Sequence, residues 1–120
     1  MNINKYNIEI PKQDYYRIFI SVKNNGQNIK LEDDDLMFMT AKRNSFSDEI
    51  IFQKSLNNGI IFNDETLKYE IEINSEDTKD LKIGEICGYD ITIYYSGNKP
   101  KQKIIGDLVV TTKYTLNEVI

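Results

Sequence analysis

The sequence predicts an all-β protein, an immunoglobulin-like antiparallel β-sandwich of seven to nine strands. Three observations predict it. Apolar residues recur mostly with period two, turn signals punctuate them at short intervals, and no stretch of about twelve residues carries the spacing of an amphipathic helix. A closed barrel of the OB type satisfies the same pattern and is the alternative.

The elements follow in order. Tyr6, Ile8 and Ile10 alternate with Asn7 and Glu9, and Pro11 closes the segment because it cannot donate to a ladder. Tyr16, Ile18, Ile20 and Val22 form the next inward set. The run Asn24-Asn25-Gly26 favours the positive φ of a tight hairpin. Leu36 to Ala41 is apolar on both faces and reads as a central strand, with a polar loop from Arg43 to Asp48 behind it. Ile50-Ile51-Phe52 and Ile60-Ile61-Phe62 read as two strands joined through Asn57-Asn58-Gly59, or as one strand that bulges. Tyr69, Ile71 and Ile73 alternate with Lys68, Glu70 and Glu72, so the two glutamates are expected on a solvated face. Ser75 is placed to cap one short helical turn, with Leu81 dropped onto the core and Gly84 ending the excursion. Tyr89, Ile91, Ile93 and Tyr95 make another inward set, and Ser96-Gly97-Asn98 turns the chain. Ile104 to Tyr114 is the last strand, with Gly106 expected at a bend or bulge. The tail from Leu116 to Ile120 is expected to order only against a partner.

The 120 residues fit one domain, 1–120, without repeat or linker. A chain of this length buries roughly two-thirds of its unfolded surface, so the core needs no disulfide or metal. The net charge of −4 argues against a phosphate-backbone ligand. Lys99, Lys101 and Lys103 form the one candidate basic patch, read as lysines guarding a strand edge. The absence of a secretory leader and of a stretch of ~20 apolar residues points to the cytoplasm.

Histidine is absent, which removes the commonest general base and metal ligand. The single cysteine, Cys87, sits at the start of a strand and reads as a small packing residue. Asp33, Asp34 and Asp35 follow Glu32 on a loop. Adjacent carboxylates there could hold Ca²⁺, but the EF-hand spacing is missing and a second loop would have to supply ligands. Without these, they are a solvated loop. Glu70 and Glu72 could be proposed as a glycosidase pair, but nothing sets them apart from ordinary strand charges. The tyrosine pairs Tyr15-Tyr16 and Tyr94-Tyr95 each send one ring outward; Tyr15 and Tyr94 are the candidate interface residues.

The second half carries a cadence. Leu67 to Ile73 is followed by Glu76-Asp77-Thr78, Leu81, Gly84, Tyr89-Asp90-Ile91 and Gly106-Asp107-Leu108-Val109-Val110. It resembles small β-sandwich proteins of tailed bacteriophages and prophages. The strands Asp35-Leu36-Met37-Phe38 and Thr40-Ala41-Lys42 extend the likeness to the N-terminal domain of phage baseplate upper proteins. The likeness spans Leu36 to Thr112 and departs at Ile86-Cys87-Gly88, where the pattern usually has an aromatic after the glycine. The resemblance implies a virion structural or assembly component of tail, baseplate or neck, cytoplasmic during assembly. It implies no cofactor and no active site, but docking onto other virion or tail proteins or onto further copies of the chain, with no nucleic acid or membrane partner. A carbohydrate- or surface-binding sandwich module is the alternative; a small enzyme is a third, disfavoured by the missing histidine.

Overall fold

The computed structural model describes residues 3–12, 15–44, 48–97 and 101–111. In chain order the elements are β1 (Ile3–Lys5), β2 (Ile8–Pro11), β3 (Tyr16–Ile20), β4 (Lys23–Asn24), β5 (Gln27–Asn28) and β6 (Leu36–Lys42). Then come β7 (Ile50–Leu56), β8 (Gly59–Asn63), β9 (Lys68–Ile73), the one-turn helix α1 (Ser75–Thr78), β10 (Ile86–Tyr94) and β11 (Gln102–Thr111).

Two layers face each other. The wide layer runs from the edge β1 and β2 through β11, β10 and β6 to β7; the narrow layer is β8, β9 and β3. In immunoglobulin terms this is a DEB layer over a GFC layer extended by one strand. The layers are joined by a two-residue parallel bridge, Ser55 opposite Gly59 and Leu56 opposite Ile60. The hydrogen-bonded path is therefore continuous around one side and open on the other, between the β1/β2 edge and β3. The sheet is thus nearly closed like a barrel, short of the full closure of the OB-type alternative.

Alternation builds the core. Met37, Met39 and Ala41 of β6, with Ile91, Ile93 and Leu108, point in from the wide layer. Ile60, Tyr69, Ile71 and Ile73 meet them from the narrow one. Burying each such aliphatic side chain contributes roughly 1.5–3 kcal/mol. β6 is central, as its two apolar faces predict: it pairs β10 on one side and β7 on the other. The β4–β5 hairpin forms where Asn25 and Gly26 both adopt positive φ (55° and 79°), the combination its two-residue turn requires. The Tyr69 hydroxyl accepts from the Leu31 amide at 2.6 Å, which ties the loop after this hairpin to the core.

Ile50–Leu56 and Gly59–Asn63 are two strands joined by a turn, as read from the sequence, and Asn57, at φ 64°, carries the chain there from the wide layer into the narrow one. Three expectations change. The helical turn is capped one residue early, because the Asn74 side chain accepts from the Asp77 amide while Asp77 accepts from the Asn74 amide. Gly106 is not at a bulge, since its pairing with Tyr89 is in continuous register. It admits another backbone instead: a Cβ there would lie 1.9 Å from the Tyr6 carbonyl oxygen. At that seam the chain switches from β1 to β2, the Tyr6 amide donates to Ile105 (2.8 Å), and the Tyr89 hydroxyl donates to the Tyr6 carbonyl. Finally, Lys103 does not guard an edge, because β11 lies between β1 and β10. Lys99, residues 112–114 of the predicted last strand and the Leu116–Ile120 tail lie outside the described residues, as does part of the Arg43–Asp48 loop.

Candidate functional site

The outer face of the wide layer is assembled by register. Asp90 of β10 lies between Thr40 of β6 and Ile105 of β11; Thr92 lies between Phe38 and Lys103; Gly88 lies between Lys42 and Asp107. Period two sends these residues to the side away from the core. Gly88 brings no side chain to its outward position, so a hollow opens between Lys42 and Asp107.

Two hollows of about 540 Å³ each adjoin on this face and share Thr40, Lys42, Asp90 and Lys103. Their floor is polar and tied together. Thr92 Oγ1 donates to Asp90 Oδ1 at 2.9 Å, and Gln53 Nε2 donates to Thr40 Oγ1 at 2.9 Å. Their rim is apolar: Leu36, Ile50, Ile86, Tyr94 and Ile105 are between 37% and 60% exposed. Scattered exposed apolar residues are ordinary; here five stand around one depression.

The predicted interface tyrosines are both exposed but are not brought together. Tyr94 stands at the rim of the wide layer, with Phe38 edge-on at 6.1 Å between centroids and the Lys101 ammonium 5.6 Å from its ring. Tyr15 lies beside the narrow layer. Its hydroxyl donates to Glu72 Oε1 at 2.6 Å and accepts from Arg17 at 3.0 Å. Glu70 departs from the sequence expectation. It does point outward, yet it is only 5% exposed, because Phe19 and Ile61 flank it in register and cover it. Arg17 Nη1 at 3.0 Å and Asn63 Nδ2 at 2.9 Å bind its two oxygens. Glu70 and Glu72 are thus bound into the face, not set across a cleft.

The aspartate loop is also structural where it is buried. Asp35 Oδ2 accepts from the Glu32 amide and Oδ1 from the Ser96 amide, each at 2.8 Å, joining two loops at one end of the sandwich. Asp33 and Asp34 are exposed. No group of three or more acidic or cysteine side chains gathers as metal ligands among the described residues. Cys87 is buried, and that burial pushes its thiol pKa up, away from the reactive thiolate. Among the described residues no helix is long and apolar enough to cross a membrane.

No local sequence pattern marks the lysine-flanked hollow. Its residues come from four strands, and only the strand order, which is non-local, brings them together. No protein-family model matches the chain, and no curated protein matches it.

Proposed function

We propose that this protein is a non-catalytic docking module of a tailed-phage or prophage particle, part of a tail, baseplate or neck. It is made in the cytoplasm, carried into the virion, and acts by protein–protein contact. The observation that carries the docking half is the rimmed depression on the wide layer: five exposed apolar side chains around a polar floor, on a rigid central sheet. The virion half is supported by the cadence from Leu36 to Thr112. The chemistry available fits this reading, since the chain has no histidine and its single thiol is buried.

The test is to purify the protein, measure its mass in solution, and challenge it with the products encoded beside it. Self-association, or binding to a tail or capsid product, is expected. A strict monomer that binds none of them contradicts the proposal.

A second reading, a carbohydrate-binding module, is favoured by one observation: the hydroxyl, amide and carboxylate groups of Thr92, Thr40, Gln53 and Asp90 share the floor beside Tyr94. Selective binding on a glycan array decides for it.

A further inference from the structure

We infer that the depression on the wide layer takes an acidic, aliphatic-bearing segment of a partner protein, with Lys42 and Lys103 as its charge-reading residues. This deepens the docking proposal and rests on it. The first observation is charge. The chain as a whole carries −4, yet the first hollow is lined by Lys5, Lys42 and Lys103 against Asp90 and Asp107. Among the described residues none of these three lysines forms an ion pair, although arginines and lysines elsewhere on the molecule do. Lys42 and Lys103 line both hollows, so two unmatched ammonium groups flank the centre of the depression. A carboxylate arriving there gains partners without breaking any.

The second observation is shape. The hollows adjoin and are open, which suits an extended occupant lying across the strands better than a compact ligand held in a pocket. The third is the rim. Ile50, Ile86, Ile105 and Leu36 offer aliphatic surface, which matches aliphatic side chains of a protein. Sugars and bases stack on aromatic rings instead, and Tyr94 is the one exposed ring at this rim.

The test uses random linear peptides displayed for selection on the intact protein, with Lys42→Gln/Lys103→Gln and Ile86→Ser proteins as comparators. All changes lie on the outward face, and a melting curve checks that each variant is folded. The expected winners carry Asp or Glu next to Leu, Ile or Val. Their affinity falls about tenfold or more on the double lysine variant, and falls with added salt. It falls on Ile86→Ser without a change in salt dependence. No enrichment, winners without acidic residues, or acidic winners indifferent to the lysine changes would each overturn the inference. So would a labelled single-stranded DNA that binds the same face more tightly than the selected peptides. Binding to a neighbour-encoded product is read separately, so the docking proposal can survive the loss of this one.

Discussion

On the outside of the narrow layer, Arg17 finds Glu70 at 3.0 Å and Glu72 at 3.9 Å, and Tyr15 and Asn63 take up acceptor oxygens of the same carboxylates. On the outside of the wide layer, Lys42 and Lys103 find no carboxylate within ion-pair distance among the described residues. Both faces present charged and apolar side chains on pleated strands. One face satisfies its own polar groups and is part of the fold. The other leaves Lys42 and Lys103 without an ion pair among the described residues and its aliphatic rim exposed. The difference teaches that exposure of a residue type is a poor guide to function; whether its bonding capacity is already met within the chain is a better one.

Perturbation should separate the two faces by size of effect. The largest loss is expected at the edge of the wide layer, where Gly106→Val would drive a side chain into the Tyr6 backbone. A destabilisation of about 3 kcal/mol or more is expected in urea unfolding, and a loss under about 1 kcal/mol would contradict the close approach of the two backbones there.

The same seam should show in pH dependence. Burial pushes the Tyr89 hydroxyl from its ordinary 10.0 up to about 12. Above pH 10 the unfolded chain releases this proton while the folded chain keeps it, so stability is full below pH 10 and falls as pH rises towards 12. The loss is on the order of 2 kcal/mol. Tyr89→Phe should unfold more easily at neutral pH and lose stability less steeply over that window; parallel pH curves for the two proteins would contradict this.

On the narrow face, Glu70→Ala removes the acceptor of Asn63 and the nearer carboxylate of Arg17, which keeps Glu72 and the Tyr15 hydroxyl, and a cost of about 1.5 kcal/mol is expected. The corresponding change on the wide face, Asp90→Ala, should cost less, about 1 kcal/mol or under, because among the described residues Asp90 accepts a single hydrogen bond, from the Thr92 hydroxyl. Equal costs by chemical denaturation would erase the distinction between the faces. Smallest of all, Lys42→Gln/Lys103→Gln should leave stability within about 0.5 kcal/mol of the parent.

Much of the fold was legible because it is local. Period-two alternation gave the inward sets Ile91/Ile93 and Tyr69/Ile71/Ile73, and Asn25-Gly26 gave the hairpin. The misses share a cause in non-local pairing. Glu70 alternates outward as read, but its cover comes from Phe19 and Ile61 on flanking strands. Gly106 looks like a bulge glycine, yet it answers to a backbone a hundred residues earlier in the chain. Lys103 looked like an edge guard because the sequence does not say that β1 and β2 add themselves outside β11. The cap at Asn74 is a different miss: Asn-x-x-Asp is itself a capping signal, one residue ahead of Ser75. The site was hidden for the first reason. Lys42, Gly88, Asp90 and Lys103 are unremarkable apart, and only the order β11, β10, β6 makes them neighbours.

The docking face is tested most directly by acylating surface lysines, free and with a neighbour-encoded tail product bound, and reading each site by mass spectrometry. Lys42 and Lys103 should lose labelling on binding while Lys68, on the narrow face, keeps it. Protection of Lys68 with Lys42 and Lys103 still labelled would place the contact on the other side of the molecule and contradict the assignment.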